Sequence, residues 1–318
     1  SSARGARGFT GLARWLRCMS RFGGGRRPRD PVPEAEAPLV TADTLPCSLV
    51  DIEGEDGAPA QDCSVAVSYY TTKNWGGRHE NEDRWLAVKD VYKPASLPFH
   101  TIGVMDGHDT DAASDAVSRL LPSVLGKHLK DGKKIDQAYT MAMAELEDTL
   151  KGVHATAGTC VVSCTVAGRF VWCSNLGDCR ALLVPLEVPK ADPWTPKIAG
   201  LCWLSRDHKA SSPDERRRIA QAGGVVCDGR IEGLEPSRTL GDFDVKAQTK
   251  KGVISIEPEV RRYELGDGKS PAHAIVVCAT DGVWDVMTGQ NVCDLIVARK
   301  EIGTLQQSIS QAPSMDTR

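Results

Sequence analysis

From Cys63 onward the chain alternates apolar and polar positions in short runs. "SVAVSYYTT" alternates with the period of two that predicts a β-strand, and the strand-like runs "DRWLAVKDVY" and "FHTIGVM" follow. Two longer stretches then change period. Val117, Leu120, Leu121, Val124 and Leu125 line one helical face, with Pro122 expected to weaken or kink that helix. Ile135, Ala138, Ala142, Leu146 and Leu150 line a second. Strands resume in "GTCVVSCTVAGRFVWCSN", whose Ala167-Gly168-Arg169 break reads as a hairpin turn, and in "RALLVPLEV". Ser212-Pro213-Asp214-Glu215 predicts a capping box with Pro at the first helical position, and Gly223-Gly224 closes that helix. "AHAIVVCAT" predicts a buried strand and "TGQNVCDLIVARK" a helix. Runs of strands followed by pairs of helices predict an α+β fold with antiparallel sheets, not alternating βαβ units. No internal repeat interrupts one domain over residues 62–318.

The first 61 residues read differently. Phe9, Leu12, Trp15, Leu16, Met19 and Phe22 recur at helical spacing opposite Arg14, Arg17 and Arg21. That is a short basic amphipathic helix, suited to weak contact with an anionic membrane surface, to targeting, or to a solvated arm. Residues 28–61 are rich in Pro, Ala and acids, and predict a largely disordered linker. The formal net charge of −3 conceals this asymmetry: residues 1–29 hold eight Arg and no acid, leaving the rest at −11. An acidic body argues against nucleic acid as a partner and suits divalent cations. The eleven cysteines are odd in number and lack CxxC pairs, so they read as buried free thiols of a reducing, intracellular (cytoplasmic or nuclear) compartment.

Carboxylates recur where strands end. "GRHENEDRW" sets Arg78, Glu80, Glu82 and Asp83 beside a strand, and "GVMDGHD" ends one on Asp106, Gly107 and His108. "SNLGDCRALL" puts Asp178 between two strands, and "VCATDGVWD" puts Asp281 and Asp285 after another. Each alone is ordinary turn chemistry. Gathered at one point they would repel, and a hard cation such as Mg²⁺ or Mn²⁺ would relieve the repulsion through oxygen ligands.

Together these segments resemble the metal-dependent protein phosphatase 2C family. "RHENEDRW", "VMDGHD", "TAGTC", "SNLGDCRALL", "LSRDHKASSPDERRRIAQAGGVV", "LEPSRTLGDFDVK", "EPEV" and "ATDGVWDVMTGQNVCDLI" follow the family order. One departure is the acidic Asp109-Thr110-Asp111, where the family has small residues after the histidine. The resemblance implies a β-sandwich of two antiparallel sheets flanked by helices on both faces, with a metal cleft at one end. It implies Mg²⁺- or Mn²⁺-dependent hydrolysis of phosphoserine and phosphothreonine in phosphoprotein substrates, by a monomer holding two ions with a place for a third. Asp106 would bridge the two ions. Glu82 and the Gly107 carbonyl would complete one site and Asp281 the other, while Asp178 and Asp285 would flank the third. Arg78 would grip phosphate, His108 would protonate the leaving oxygen, and Asp83 would orient a ligand. Arg238 and Asp242 would shape a flap beside the cleft. The family's last Asp-Asn ligand pair is absent from "QQSISQAPSMDTR", where Asp316 is the only acid after Glu301, so the sequence is expected to stop short of that motif. The rival readings are a pseudophosphatase serving as a binding scaffold and, further off, a two-metal nuclease.

Overall fold

Period-two alternation lets one strand face two different cores, and the central strands here do so. The computed structural model describes residues 47–50, 65, 67, 69–71, 80–94, 97–152, 156–189, 197–266 and 273–298. The strands are β1 (Cys47–Val50), β2 (Arg84–Tyr92), β3 (Phe99–His108), β4 (Gly158–Ala167), β5 (Phe170–Leu176), β6 (Arg180–Glu187), β7 (Lys197–Ile198), β8 (Cys202–Trp203), β9 (Leu240–Gly241), β10 (Glu259–Leu265) and β11 (His273–Ala279). The helices are α1 (Ala112–Lys130), α2 (Ile135–Leu150), α3 (Pro213–Gln221), α4 (Phe243–Gln248), α5 (Asp281–Trp284) and α6 (Gly289–Ala298). Among the described residues a seven-stranded sheet runs β1-β10-β5-β4-β3-β2 with β9 on β4, and a four-stranded sheet runs β11-β6-β7 with β8 on β6. Every strand pair is antiparallel.

Between the sheets lie Cys160, Val162, Cys164, Val171, Cys173, Cys179, Ala181, Leu183 and Tyr263, with Ile102, Val104, Val276 and Cys278 packed against them. The alternate residues of the larger sheet, Met105 and Val161 among them, face α1 and α2 and bury Val117, Leu121, Leu125, Tyr139 and Leu146. On the other outer face Leu182 and Val184 pack on Trp284, Cys293 and Ile296. This is the expected α+β sandwich with helices on both sides. Cys160, Cys164, Cys173, Cys179, Cys202, Cys278 and Cys293 are free thiols, while Cys227 departs from the all-thiol expectation and is disulfide-bonded.

Several local expectations are corrected. β1 lies inside the segment read as linker and pairs with β10 from Cys47↔Leu265 to Val50↔Arg262. The described residues of "SVAVSYYTT" form no strand; Tyr69 instead stacks its ring on Trp85 at 3.5 Å between centroids. α1 runs through Pro122 to Lys130. Ser212 and Pro213 open α3, but Ser212 makes no side-chain cap. Glu215 turns away to accept hydrogen bonds from Ser237, Arg218 and Arg238. Arg218 ties this network further, its guanidinium also reaching the carbonyls of Gly252, Ser237 and Val253. The basic N-terminal helix, Asp316 and most of the linker lie outside the described residues.

A polar seam joins helix to sheet. Tyr139 is fully buried in α2, and its hydroxyl bonds Ser163 at 3.0 Å and Thr165 at 2.7 Å, while Thr165 also meets Thr101 at 2.9 Å. Tyr139→Phe therefore removes one shared hydroxyl and leaves Thr165 a partner. The expected loss is about 1–2 kcal/mol in urea unfolding, with an unchanged far-UV circular dichroism spectrum. A loss above about 4 kcal/mol would assign the seam a larger role than one buried hydrogen-bonded hydroxyl.

Candidate active site

The strand directions bring the acids to one end of the sandwich. Asp106 pairs with Cys160 and Arg84 with Met105 across the larger sheet, so Asp83 and Asp106 sit on adjoining strand ends. In the smaller sheet Ala279 pairs with Arg180, which brings Asp281 beside the turn that carries Asp178. Asp106 and His108 also continue the interior face begun by Ile102 and Val104. Their side chains thus emerge where the apolar interior stops.

The cluster's charge is uncompensated. Burial and the negative charges of Asp281, Asp83 and Asp178 push the Asp106 carboxyl up to about 9, and it shares a hydrogen bond with Asp281. Burial, and the charge of Asp281, also raise Asp83, whose Oδ2 accepts a 3.0 Å bond from the Thr280 hydroxyl. Asp178 is raised by burial and by Asp281 while the Cys160 thiol donates to its Oδ1 at 3.2 Å. Asp281 is raised by burial and by the charge of exposed Asp285. Lys209 offsets part of this charge, but its ammonium is bonded to Glu235 at 3.0 Å. The cluster therefore favours the protonated form of Asp106, and a cation would relieve the same repulsion. Among the described residues no three His, Cys, Asp or Glu side chains close around one metal-sized point. Like charges with only a proton to share have reason to stay apart. Oxygen donors, burial and excess negative charge fit a hard divalent ion.

Backbone approach is equally tight. A Cβ on Gly107 would stand 2.5 Å from the Glu82 carbonyl oxygen and 2.6 Å from the Ser114 hydroxyl. That hydroxyl donates to the same Glu82 carbonyl at 2.5 Å, so Gly107 lets β3, the 82–83 segment and α1 meet. Gly177 has φ +112, and a Cβ there would strike the Cys160 sulfur at 2.3 Å. The Gly177 N–H donates to His208 Nδ1 at 3.2 Å, and burial with the charge of Arg238 lowers His208 to about 4, keeping it neutral. His208 is thus a buried structural support for the Asp178 turn.

Arg78 and His79 lie outside the described residues. Glu82 is half-buried, and its charge acts on His108. The Asp109-Thr110-Asp111 departure builds surface structure: Arg84 pairs with Asp111 and, at 3.8 Å, with Asp115. Trp284 is core, its Nε1 donating to the Ala279 carbonyl at 2.9 Å. Arg238 joins Glu215 of α3 to the Glu257 carbonyl.

Asp242 is the residue that sequence reasoning misplaced. It is 1% exposed and lies 2.8 Å through Oδ1 from His108 Nε2. Burial alone would lower the imidazole, but the hydrogen bond and charge of Asp242, with Asp178 and Glu82, raise it above its usual value. The segment "LEPSRTLGDFDVK" singled out Asp242, but nothing in it pointed to a partner 134 positions away.

The family pattern described as Protein phosphatase 2C matches residues 67–313. Protein phosphatase 1B of Bos taurus is 32% identical over 209 residues, covering 63% of this chain and 38% of that protein. Probable protein phosphatase 2C 2 of Arabidopsis thaliana is 30% identical over 260 residues, covering 79% of this chain and 62% of the relative. The chain spans less than two thirds of the length of either. Among solved structures, a serine-threonine phosphatase 2C from Toxoplasma gondii superposes with a TM-score of 0.56 at 23% identity, covering 74% of this chain and 85% of that one, a likeness of fold. Since the family match runs through both sheets and every carboxylate turn, the chain belongs to the protein phosphatase 2C family.

Proposed function

We propose that this protein hydrolyses phosphoserine and phosphothreonine in phosphoproteins, using Mg²⁺ or Mn²⁺ held at the sandwich end. The observation that carries this reading is the buried cluster of Asp83, Asp106, Asp178 and Asp281, in which burial and the neighbouring negative charges push the Asp106 carboxyl up to about 9, a repulsion that a cation would relieve. Family membership and the names of the relatives support the reaction class. Asp106, Glu82 and the Gly107 carbonyl would hold one ion, and Asp106 with Asp281 the other. Asp178 and Asp285 would flank a further, weaker position. Bound there, hard divalent ions supply an activated water and positive charge toward the phosphoryl oxygens.

The chain's own residues divide the remaining work. Asp83, fixed by Thr280, holds Asp106 in place. Arg78 would clamp phosphate with its planar guanidinium. His108 would give a proton to the departing serine or threonine oxygen, and its raised pKa keeps it charged further into the neutral range. The scaffold reading predicts phosphopeptide binding without turnover, and the retained acids speak against it.

Metal and pH should be linked. The folded state holds a proton on Asp106 up to about pH 9, whereas an ordinary carboxyl loses it near 3.8. The folded state therefore binds more protons across that window, and chelated protein should lose stability as pH rises toward 9. Metal displaces that proton, so affinity should rise over the same window. Melting with chelator and calorimetric Mn²⁺ titration at pH 6 and 8.5 read both, and equal affinities at the two pH values would remove Asp106 from the site. Activity toward a phosphothreonine peptide should stop in chelator.

Asp106→Asn keeps the shape but not the charge. It should lower kcat by about 10²-fold or more, comparable to removing a main electrostatic element. The pH dependence of the chelated melting temperature should flatten at the same time. A folded variant with near-normal turnover would end the bridging assignment.

A further inference from the structure

We infer that Asp242 is the positioning residue that sets the orientation of the His108 imidazole, leaving Nδ1 as the nitrogen that delivers the proton. The inference rests on the phosphatase reading above. Asp242 Oδ1 lies 2.8 Å from Nε2, and Oδ2 accepts a 2.5 Å bond from the Thr239 hydroxyl. Both carboxylate oxygens are therefore engaged, which restrains the side chain. With Nε2–H committed to a carboxylate, Nδ1 is the only ring nitrogen left for a substrate. As the P–O bond breaks and water supplies the new oxygen, one proton leaves Nδ1 for the departing serine or threonine oxygen. The imidazole that remains is neutral and still carries Nε2–H.

The surroundings are shaped for this pair. Asp242 adopts left-handed backbone at φ 53, which Asp tolerates better than most residues, and its N–H donates to the Ala157 carbonyl at 3.0 Å. A Cβ on Gly158 would stand 2.3 Å from both Asp242 Oδ2 and His108 Nε2, so glycine alone leaves room for the pair. The segment is anchored from α2, where Glu147 accepts from the Gly241 N–H at 2.9 Å and from the Lys246 ammonium at 2.6 Å. Lys246 also donates to the Thr239 carbonyl at 3.0 Å. A loop needing only a fold would not have to spend a buried carboxylate on a ring that is 30% exposed.

Asp242→Asn should lower kcat on a phosphoserine peptide about 10-fold or more, with KM little changed. On an aryl phosphate, whose leaving group needs no proton, the loss should stay under about threefold. In a His108→Gln background it should add almost nothing. The Nε2–H of His108 should give a slowly exchanging, downfield ¹H–¹⁵N resonance in the chelated wild type, absent from Asp242→Ala. Equal losses on both ester types, additivity with His108→Gln, or no such resonance in the wild type would overturn the assignment. If Asp242→Asn does not fold, Thr239→Val, which frees one carboxylate oxygen, must show the same ester selectivity at smaller size or the assignment fails. If the wild type hydrolyses no phosphate ester, the phosphatase reading fails, while the resonance still decides the His108–Asp242 pair.

Discussion

Mutual repulsion among buried carboxylates is the constraint around which this molecule is arranged. Burying one ionised acid already costs several kcal/mol without a partner. Asp83, Asp106, Asp178 and Asp281 lie close enough that each feels another's charge. Such an arrangement persists only where rigid structure leaves the acids nowhere to go. Here two sheets supply that rigidity, because each acid sits on or next to a strand end whose register is pinned by a ladder of hydrogen bonds. The apolar interior of Val162, Cys164, Leu183 and their neighbours then has a second duty. It holds the sheets together at the end where charge would drive them apart.

The supports around the cluster follow from the same constraint. Gly107 and Gly177 let backbone come close enough to crowd the acids together, and a side chain at either would strike its neighbours. Thr280, the Cys160 thiol and the neutral His208 each hold an acid or its turn by a hydrogen bond without adding charge. Neutral partners fix position without removing the repulsion, which a cation would relieve.

Much of this was legible because it depends on short-range patterns. Short apolar runs bounded by turn residues marked β3, β4, β6 and β11, and acids next to Gly after those runs marked the strand-end cluster. What the sequence hid was contact between distant segments. β9 has only Leu240 and Gly241, too short for a period, yet it pairs with β4 at Gly158 and Thr159 and so delivers Asp242 to His108. Ser212 to Glu215 has the spacing of a capping box, but Arg218 and Arg238 offer Glu215 charged partners, and these win over a backbone N–H. β1 is four residues within a polar stretch, and its place depends on the open edge of β10 rather than on its own pattern.

The same distinction separates the two kinds of work at the site. Glu82, Asp106, Asp178 and Asp281, proposed to hold cations, stand in a strand or within two residues of a strand end, so sheet register fixes where they sit. The residue that orients His108 comes instead from the 239–246 segment, tied to α2 through Glu147 and to α3 through the Arg238–Glu215 pair. α3 and this segment belong partly to a separate small core of Ala210, Ile219, Ile231, Val253 and Ile254. Proton handling therefore hangs on a unit packed beside the sandwich, while charge handling belongs to the sandwich itself. A change in the small core would reach His108 through Asp242 and the Asp178 turn through His208.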